Sequence, residues 1–257
     1  MSTNWPPLDT HAHIDVSIDP RELLNLRAVV FAANRSLQQS QQSLDRQHRD
    51  LLTVWGVGVH PGVKTALEGF DPATFHALMQ RTAYVGEIGL DGRTKSRLPL
   101  QRDVFAAILQ HLQQHPRLTS IHSQGATAEV IDELERTPIQ GVILHWWLGE
   151  PALTKRAVEL GAYFSINASS VRRTEVIDLI PLDRLLVETD HPDGNRSAHQ
   201  PRPGNVSDVE SALARKHHVT PSVLRATTWK NLATLAHVSG TRPLLPPRVG
   251  AILDSTQ

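Results

Sequence analysis

The sequence predicts an α/β fold, a (β/α)8 TIM-like barrel. Three observations predict it. Eight short apolar runs rich in β-branched residues recur along the chain. Helix-sized amphipathic segments lie between them, and strand–helix alternation implies parallel pairing through right-handed crossovers. Eight such repeats in 257 residues match the size of the barrel. A doubly wound open sheet shares the alternation, and periodicity alone does not exclude it.

The strand candidates are Leu8–Ile14, Ala28–Ala33, Thr53–Val59, Tyr84–Ile88, Leu118–His122, Gly141–Trp146, Ala162–Ile166 and Arg184–Glu188. Among the spacers, Gln101–Gln114 carries Val104, Ile108 and Leu112 at helical spacing, and Ala126–Arg136 and Pro151–Leu160 share that period. Pro151 suits a first helical turn and Gly161 a C-terminal cap. The Gln/Ser-rich stretch beginning at Gln38 reads as an exposed helix face. No internal repeat or linker divides the chain. Residues 1–239 form the expected barrel, and 240–257, with Pro243, Pro246 and Pro247, an appended tail that packs on the base or stays loose.

Composition narrows the function classes. Lys+Arg and Asp+Glu are both 26, so no global field draws in nucleic acid, although a local basic patch remains allowed. With no cysteine, thiol nucleophiles, disulfides and Cys-ligated metals are excluded. No apolar run approaches the roughly 18 residues of a membrane helix. The opening MSTNWPPLDT has neither a basic n-region nor an apolar h-region, so a cytoplasmic chain is expected.

The unusual count is fourteen histidines. His11 and His13 close the first strand candidate, and residues i and i+2 of a strand share one face. His60 follows the third strand, Glu87 ends the fourth, His122 the fifth, His145 the sixth and Asp190 the eighth. In a parallel barrel these ends share the rim where active sites sit. A single histidine at a strand end is ordinarily a satisfied polar group, and an isolated His-x-His is a weak signal. Four imidazoles and two carboxylates at matching ends of five strands are a different matter. Such a set suits two borderline divalent ions, which a carboxylate can bridge roughly 3.5–4 Å apart.

The runs DTHAHID, GVHPG, VGEIGLDGR with the following Gln101–Phe105, IHSQGA, LHWWLG, VETDHP, and the late PGNV and NLATLA resemble the TatD family of metal-dependent deoxyribonucleases, within the amidohydrolase-like barrels. They span about residues 8–236 in the family's order. The resemblance implies that His11 and His13 bind one metal, Glu87 bridges, His122 and His145 bind the second, and Asp190 is the last ligand and orients the attacking water. Two divalent ions, Mg, Mn or Zn, are the implied cofactors, and single-stranded DNA ends the implied substrate. His60, at the family's Gly-His-Pro position, is the candidate phosphate contact. The chain departs from the family at Gln124, where Arg is frequent, at Trp147 and Leu148, and at His191. Arg93 or Lys95 then becomes a candidate substitute for the Gln124 phosphate contact. The divergent rim fits members encoded beside antiviral defence genes, which brings in a protein partner from a neighbouring gene.

The expected chemistry is phosphodiester hydrolysis by hydroxide on the metal. Asp190 holds the nucleophile, and a metal-held water or a protonated His60 gives the leaving oxygen its proton. Trp146 and Trp147 flank His145, and strand alternation lets at most one face the pocket to stack on a base. Two alternatives stand beside this: an amidase, lactonase or deaminase of the same barrel group, and a subunit active only within a partner complex.

Overall fold

The computed structural model describes residues 5–46 and 51–256. Met1–Asn4, with which the leader reading begins, and Gln257, the last residue of the tail, lie outside the described residues. The strands are β1 (Leu8–Ala12), β2 (Val29–Ala32), β3 (Thr53–Trp55), β4 (Tyr84–Gly89), β5 (Leu118–His122), β6 (Val142–His145), β7 (Tyr163–Ile166) and β8 (Leu185–Val187). Helices α1 (Pro20–Asn25) and α2 (Leu37–Arg46) follow the first two strands. α3 (Lys64–Glu68) and α4 (Pro72–Met79) follow the third. α5 (Leu98–Gln114), α6 (Thr127–Arg136), α7 (Pro151–Glu159) and α8 (Thr174–Ile177) lead in turn to β5, β6, β7 and β8. α9 (Ser207–Lys216), α10 (Pro221–Val238) and α11 (Pro247–Asp254) end the chain. Every paired strand is parallel, and pairing runs in sequence order, β1-β2-β3 and β4-β5-β6-β7-β8. That order has no reversal, so the doubly wound alternative, which needs one, does not apply.

The two sheets meet at seams outside the ladders. At one, Val57 N donates to Tyr84 O at 3.1 Å and Gly86 N to Val57 O at 2.9 Å. At the other, Thr10 Oγ1 donates to Val187 O at 2.9 Å and Asp190 N to His11 O at 2.8 Å. β3 pairs only as far as Trp55, short of the expected Val59. Beyond it the chain leaves the β2 ladder and crosses to β4, and at Gly58 a Cβ would meet Asn34 O at 1.7 Å.

Strand alternation separates two cores. Val30, Ala32, Leu144, Phe164, Ile166 and Val187 pack outward with helix residues such as Phe105, Ile108 and Ile131. Val29, Phe31, Ile143, Tyr163 and Leu186 join Trp229, Leu232, Val249 and Leu253 of α10 and α11. The tail is therefore packed, with Leu245, Val249 and Leu253 buried. Helix ends carry the chemistry that starts them: Asp19, Asp71 and Thr220 accept from the first-turn amides of α1, α4 and α10, and Pro stands at the head of each. Gly161, at φ +78°, caps α7 as its position implies. In α2 the glutamines face solvent, but Ser40 and Ser43 are buried, accepting from Gly58 N at 3.1 Å and Asn34 Nδ2 at 2.7 Å. Among the described residues no helix is long and apolar enough to cross a membrane.

Candidate metal centre

Two of the candidate residues sit on strand irregularities. Between Asp9 and Ala12 the β1 register shifts, so Thr10 and His11 oppose the single residue Phe31. Between Val85 and Ile88, Gly86 and Glu87 likewise oppose Ser120. Strict alternation puts Glu87 on the face of Val85, which packs outward in the helix-side core. The bulge turns it inward instead, as bulges re-aim side chains. β6 needs no such device: Ile143 and His145 share a face, and Leu144 points to the helices.

Glu87 stands at the middle, fully buried, with its two oxygens facing different imidazoles. Oε1 lies 2.5 Å from His122 Nδ1 and 2.7 Å from His145 Nε2. Oε2 lies 3.2 Å from His13 Nε2, 3.3 Å from His60 Nε2 and 3.8 Å from His11 Nε2. Asp190 Oδ1 is 3.7 Å from both His11 Nε2 and His13 Nε2. All seven residues singled out in the sequence thus converge. Asp190 is held in the left-handed region at φ +42°, its N–H bonded to His11 O and its carbonyl accepting from Gly194 N.

The surrounding groups orient the rings. Ala33 O lies 3.0 Å from His13 Nδ1, which puts the proton there and leaves Nε2 as a donor for an ion. Ser120 Oγ at 2.7 Å and Tyr84 OH at 3.3 Å flank His11 Nδ1, and the His11 ring stacks on His145 with centroids 4.0 Å apart. His60 is the reverse case: Gly62 N–H donates to its Nδ1 at 2.8 Å, so the neutral ring carries its proton on Nε2. Glu188 accepts from Trp146 N at 2.9 Å and Asn167 Nδ2 at 3.0 Å and bonds Ser165 Oγ, with its Oε1 3.8 Å from His145 Nδ1. Asp91 Oδ2 stands 3.5 Å from His122 Nε2.

The electrostatics call for cations. Burial pushes the Asp190 carboxyl well up. Burial would do the same to Glu87, but the imidazoles of His60, His145 and His122 outweigh it and hold that carboxyl well below its usual range. Burial pulls His145 down, yet Glu87 and Glu188 draw a proton onto it and its pKa rises well above the ordinary value. Burial lowers His11, and the neighbouring His145 adds to the shift. Burial lowers His60 to about 4 against the pull of Glu87.

The donor set fits divalent ions. Among the described residues, buried side-chain atoms without a hydrogen-bond partner include His11 Nε2, Glu87 Oε2, His122 Nε2 and His145 Nδ1. Three groups bring their ligand atoms within 4.8 Å of one another: His11–His13–Glu87, His11–His145–Asp190 and His60–Glu87–His122. Imidazole and carboxylate together suit Zn²⁺ or Mn²⁺.

The centre floors a cavity of about 340 Å³. Trp146, at φ +40°, lines it with Leu148 and Gln124. Trp147 turns away, fully buried, against Phe164, with Nε1 donating to Thr154 Oγ1 at 2.9 Å. Arg93 lines the mouth but is bound to Asp91, and Lys95 is not among the lining residues. Sequence reasoning missed Ser120, Tyr84, Asp91 and Glu188. Glu188 alone carried a signal, two residues before Asp190 in VETD.

The model of the family described as TatD related DNase matches residues 8–237. Human deoxyribonuclease TATDN3 is 24% identical over 258 residues, covering 89% of this chain and 93% of that protein. YcfH of Escherichia coli K12, named as an uncharacterized metal-dependent hydrolase, is 29% identical over 210 residues, covering 74% and 76%. Among solved structures, the TatD homologue YJJV from Escherichia coli K12 superposes with a TM-score of 0.76 at 20% identity, over 89% of this chain and 96% of that one. A TatD-family hydrolase from Entamoeba histolytica gives 0.74 at 14% identity, over 90% and 97%.

Proposed function

The chain belongs to the TatD-related DNase family, and on that premise we propose that it is a metal-dependent phosphodiester hydrolase that trims single-stranded DNA from an end. One observation carries the reading: the two oxygens of Glu87 face separate sets of imidazoles, His122 and His145 on Oε1, His11, His13 and His60 on Oε2. Divalent ions would be held here by Glu87 together with His11, His13 and Asp190 on one side and His122 and His145 on the other. When bound, such ions neutralise charge on the phosphate and lower the pKa of a water toward roughly 7.

The chain's own groups supply the rest. Asp190, buried in the wall of the cavity, takes the proton of the attacking water. His60 acts as a neutral donor: with its pKa near 4 and its proton on Nε2, it hydrogen-bonds a phosphate oxygen. Of the two proton sources for the leaving oxygen, a metal-held water or a protonated His60, burial favours the first, because it disfavours the imidazolium. Trp146, the half-buried member of the Trp pair that lines the cavity, offers a face for a base, worth roughly 1–3 kcal/mol when stacked.

The test is a parallel assay on a labelled single-stranded oligonucleotide and on a panel of cyclic amides and lactones, in Mg²⁺ or Mn²⁺. Shortening of the oligonucleotide, abolished in Asp190→Asn with unchanged circular dichroism, is expected. Turnover of the amides or lactones with an intact oligonucleotide would overturn the reading, as would wild-type rates in Asp190→Asn.

A further inference from the structure

Among the described residues, three guanidinium groups line the mouth of the cavity, from Arg35 between β2 and α2, Arg93 after β4 and Arg196 after β8. Arg93 is engaged: its Nε lies 3.0 and 3.1 Å from the two oxygens of Asp91, and its Nη2 bonds the same carboxylate. Arg35 and Arg196 instead share one acid. Arg196 Nη2 bonds Asp193 Oδ1, and Arg35 Nη2 stands 3.9 Å from Asp193 Oδ2, an ion-pair contact too long for a hydrogen bond. One carboxylate opposite two guanidiniums leaves a positive charge at the mouth that Asp193 does not balance.

The backbone of Arg35 is fixed beside the centre. Its N–H donates to Gln39 Oε1 at 2.9 Å, and its carbonyl accepts from His60 N at 3.1 Å. The imidazole of that same His60 faces Glu87. A short, hydrogen-bonded path thus ties the Arg35 backbone to the centre, while its guanidinium stays half-exposed. Asp193 likewise sits three residues beyond Asp190, on the loop that Asp190 O anchors through Gly194 N. Both arms of the Arg35–Asp193–Arg196 group are therefore set by the residues around the reacting position.

We propose that Arg35 and Arg196 clamp the phosphate next to the scissile one in a single nucleic acid strand, and that Asp193 occupies both guanidiniums until that phosphate displaces it. The inference rests on the phosphodiesterase reading above and extends it from an isolated diester to a strand with at least two phosphates. Guanidinium is the group matched to this task, because its planar fork meets two phosphate oxygens at once. The clamp reads backbone charge and carries no base preference. It also supplies phosphate affinity locally in a chain of zero net charge.

The experiment is equilibrium binding of a fluorescein-labelled oligothymidylate with phosphorothioate linkages, followed by anisotropy across a series of salt concentrations. Wild type is compared with Arg35→Gln, Arg35→Lys, Arg196→Gln and Asp193→Asn. Arg35→Gln is expected to weaken binding about ten-fold or more. It should also reduce the slope of log affinity against log salt by about 0.7, one single-strand phosphate contact. Arg196→Gln should lower the slope as well, and because both arginines hold the same phosphate the double variant should lose about 0.7 in total rather than twice that. Arg35→Lys should keep the slope while losing affinity, since the charge stays and the fork goes. Asp193→Asn should tighten binding. An unchanged slope in both glutamine variants overturns the clamp, and so does weaker binding in Asp193→Asn. A wild type that does not bind the strand also overturns it. Slopes and signs as expected, without hydrolysis of the unmodified strand, would keep the clamp and reject the phosphodiesterase reading instead.

Discussion

Asp9 and Thr189 stand 180 positions apart, yet the Asp9 carboxylate accepts both the backbone N–H of Thr189, at 2.8 Å, and its hydroxyl, at 2.6 Å. Gly204 N donates to the same carboxylate at 2.8 Å. This buried acid therefore fastens the first strand to the end of the last, one residue from Asp190 and two from His11. No ladder pairing joins β1 to β8, so side chains carry much of that seam. Asp9→Ala would leave buried amides of Thr189 and Gly204 without acceptors. A loss of about 3 kcal/mol or more is expected in urea unfolding of the metal-free protein. A loss below 1 kcal/mol would show the seam to be held by other contacts.

Among the described residues, Glu87 is the one carboxylate within reach of all five histidines at the centre. Replacing it with alanine should lower the ion content of protein purified without chelator from two per chain toward one, by elemental mass spectrometry. Chelation of the wild type should abolish hydrolysis, and added Mn²⁺ should restore it. Two ions still bound in Glu87→Ala would end its bridging role.

The pH dependence of stability follows from His60. Its pKa falls from 6.5 unfolded to about 4 folded, because burial disfavours the imidazolium. Between those values the unfolded chain binds the extra proton, so stability is lost as pH falls through that window. The loss from this group is about 3 kcal/mol once pH reaches the lower end. His60→Gln cannot take up that proton. Urea unfolding of the metal-free variant between pH 7 and pH 4 should therefore decline less steeply than wild type by a comparable amount, and equal declines would contradict the assignment.

The adjacent tryptophans should separate by function. Trp147→Ala opens a cavity between α7 and β7 and removes a buried indole, so a stability loss of about 3–5 kcal/mol is expected by denaturation. Trp146→Ala, on the cavity side, should change stability little and weaken oligonucleotide binding by about 1–3 kcal/mol in anisotropy titrations. The opposite pattern would place the stacking surface elsewhere.

Most of the architecture is legible in the primary sequence because it follows local rules. Runs with period two mark strands, and amphipathic spacers mark helices. Pro and Gly punctuate helix ends, as at Pro151 and Gly161. The candidate site was legible for a related reason: in a parallel barrel, a polar residue that ends a strand is delivered to the common rim whatever its neighbours do. The supporting residues were not. Ser120 and Tyr84 look like ordinary strand residues until His11 comes to lie beside them. Asp91 looks like a loop acid until His122 approaches it.

The chain's own pattern determined eight strands in order, the helices between them and seven side chains gathered at one end. Tertiary structure alone decided which way two of those side chains point. By alternation Glu87 belongs with Val85, facing the helices, and only the two-against-one pairing opposite Ser120 turns it inward. His11 is turned by the same device opposite Phe31. A bulge is a property of two strands in register, so a single strand's periodicity cannot reveal it. Likewise Arg35, Asp193 and Arg196 are loop residues of no periodicity, and only closure of the ring set them around one opening.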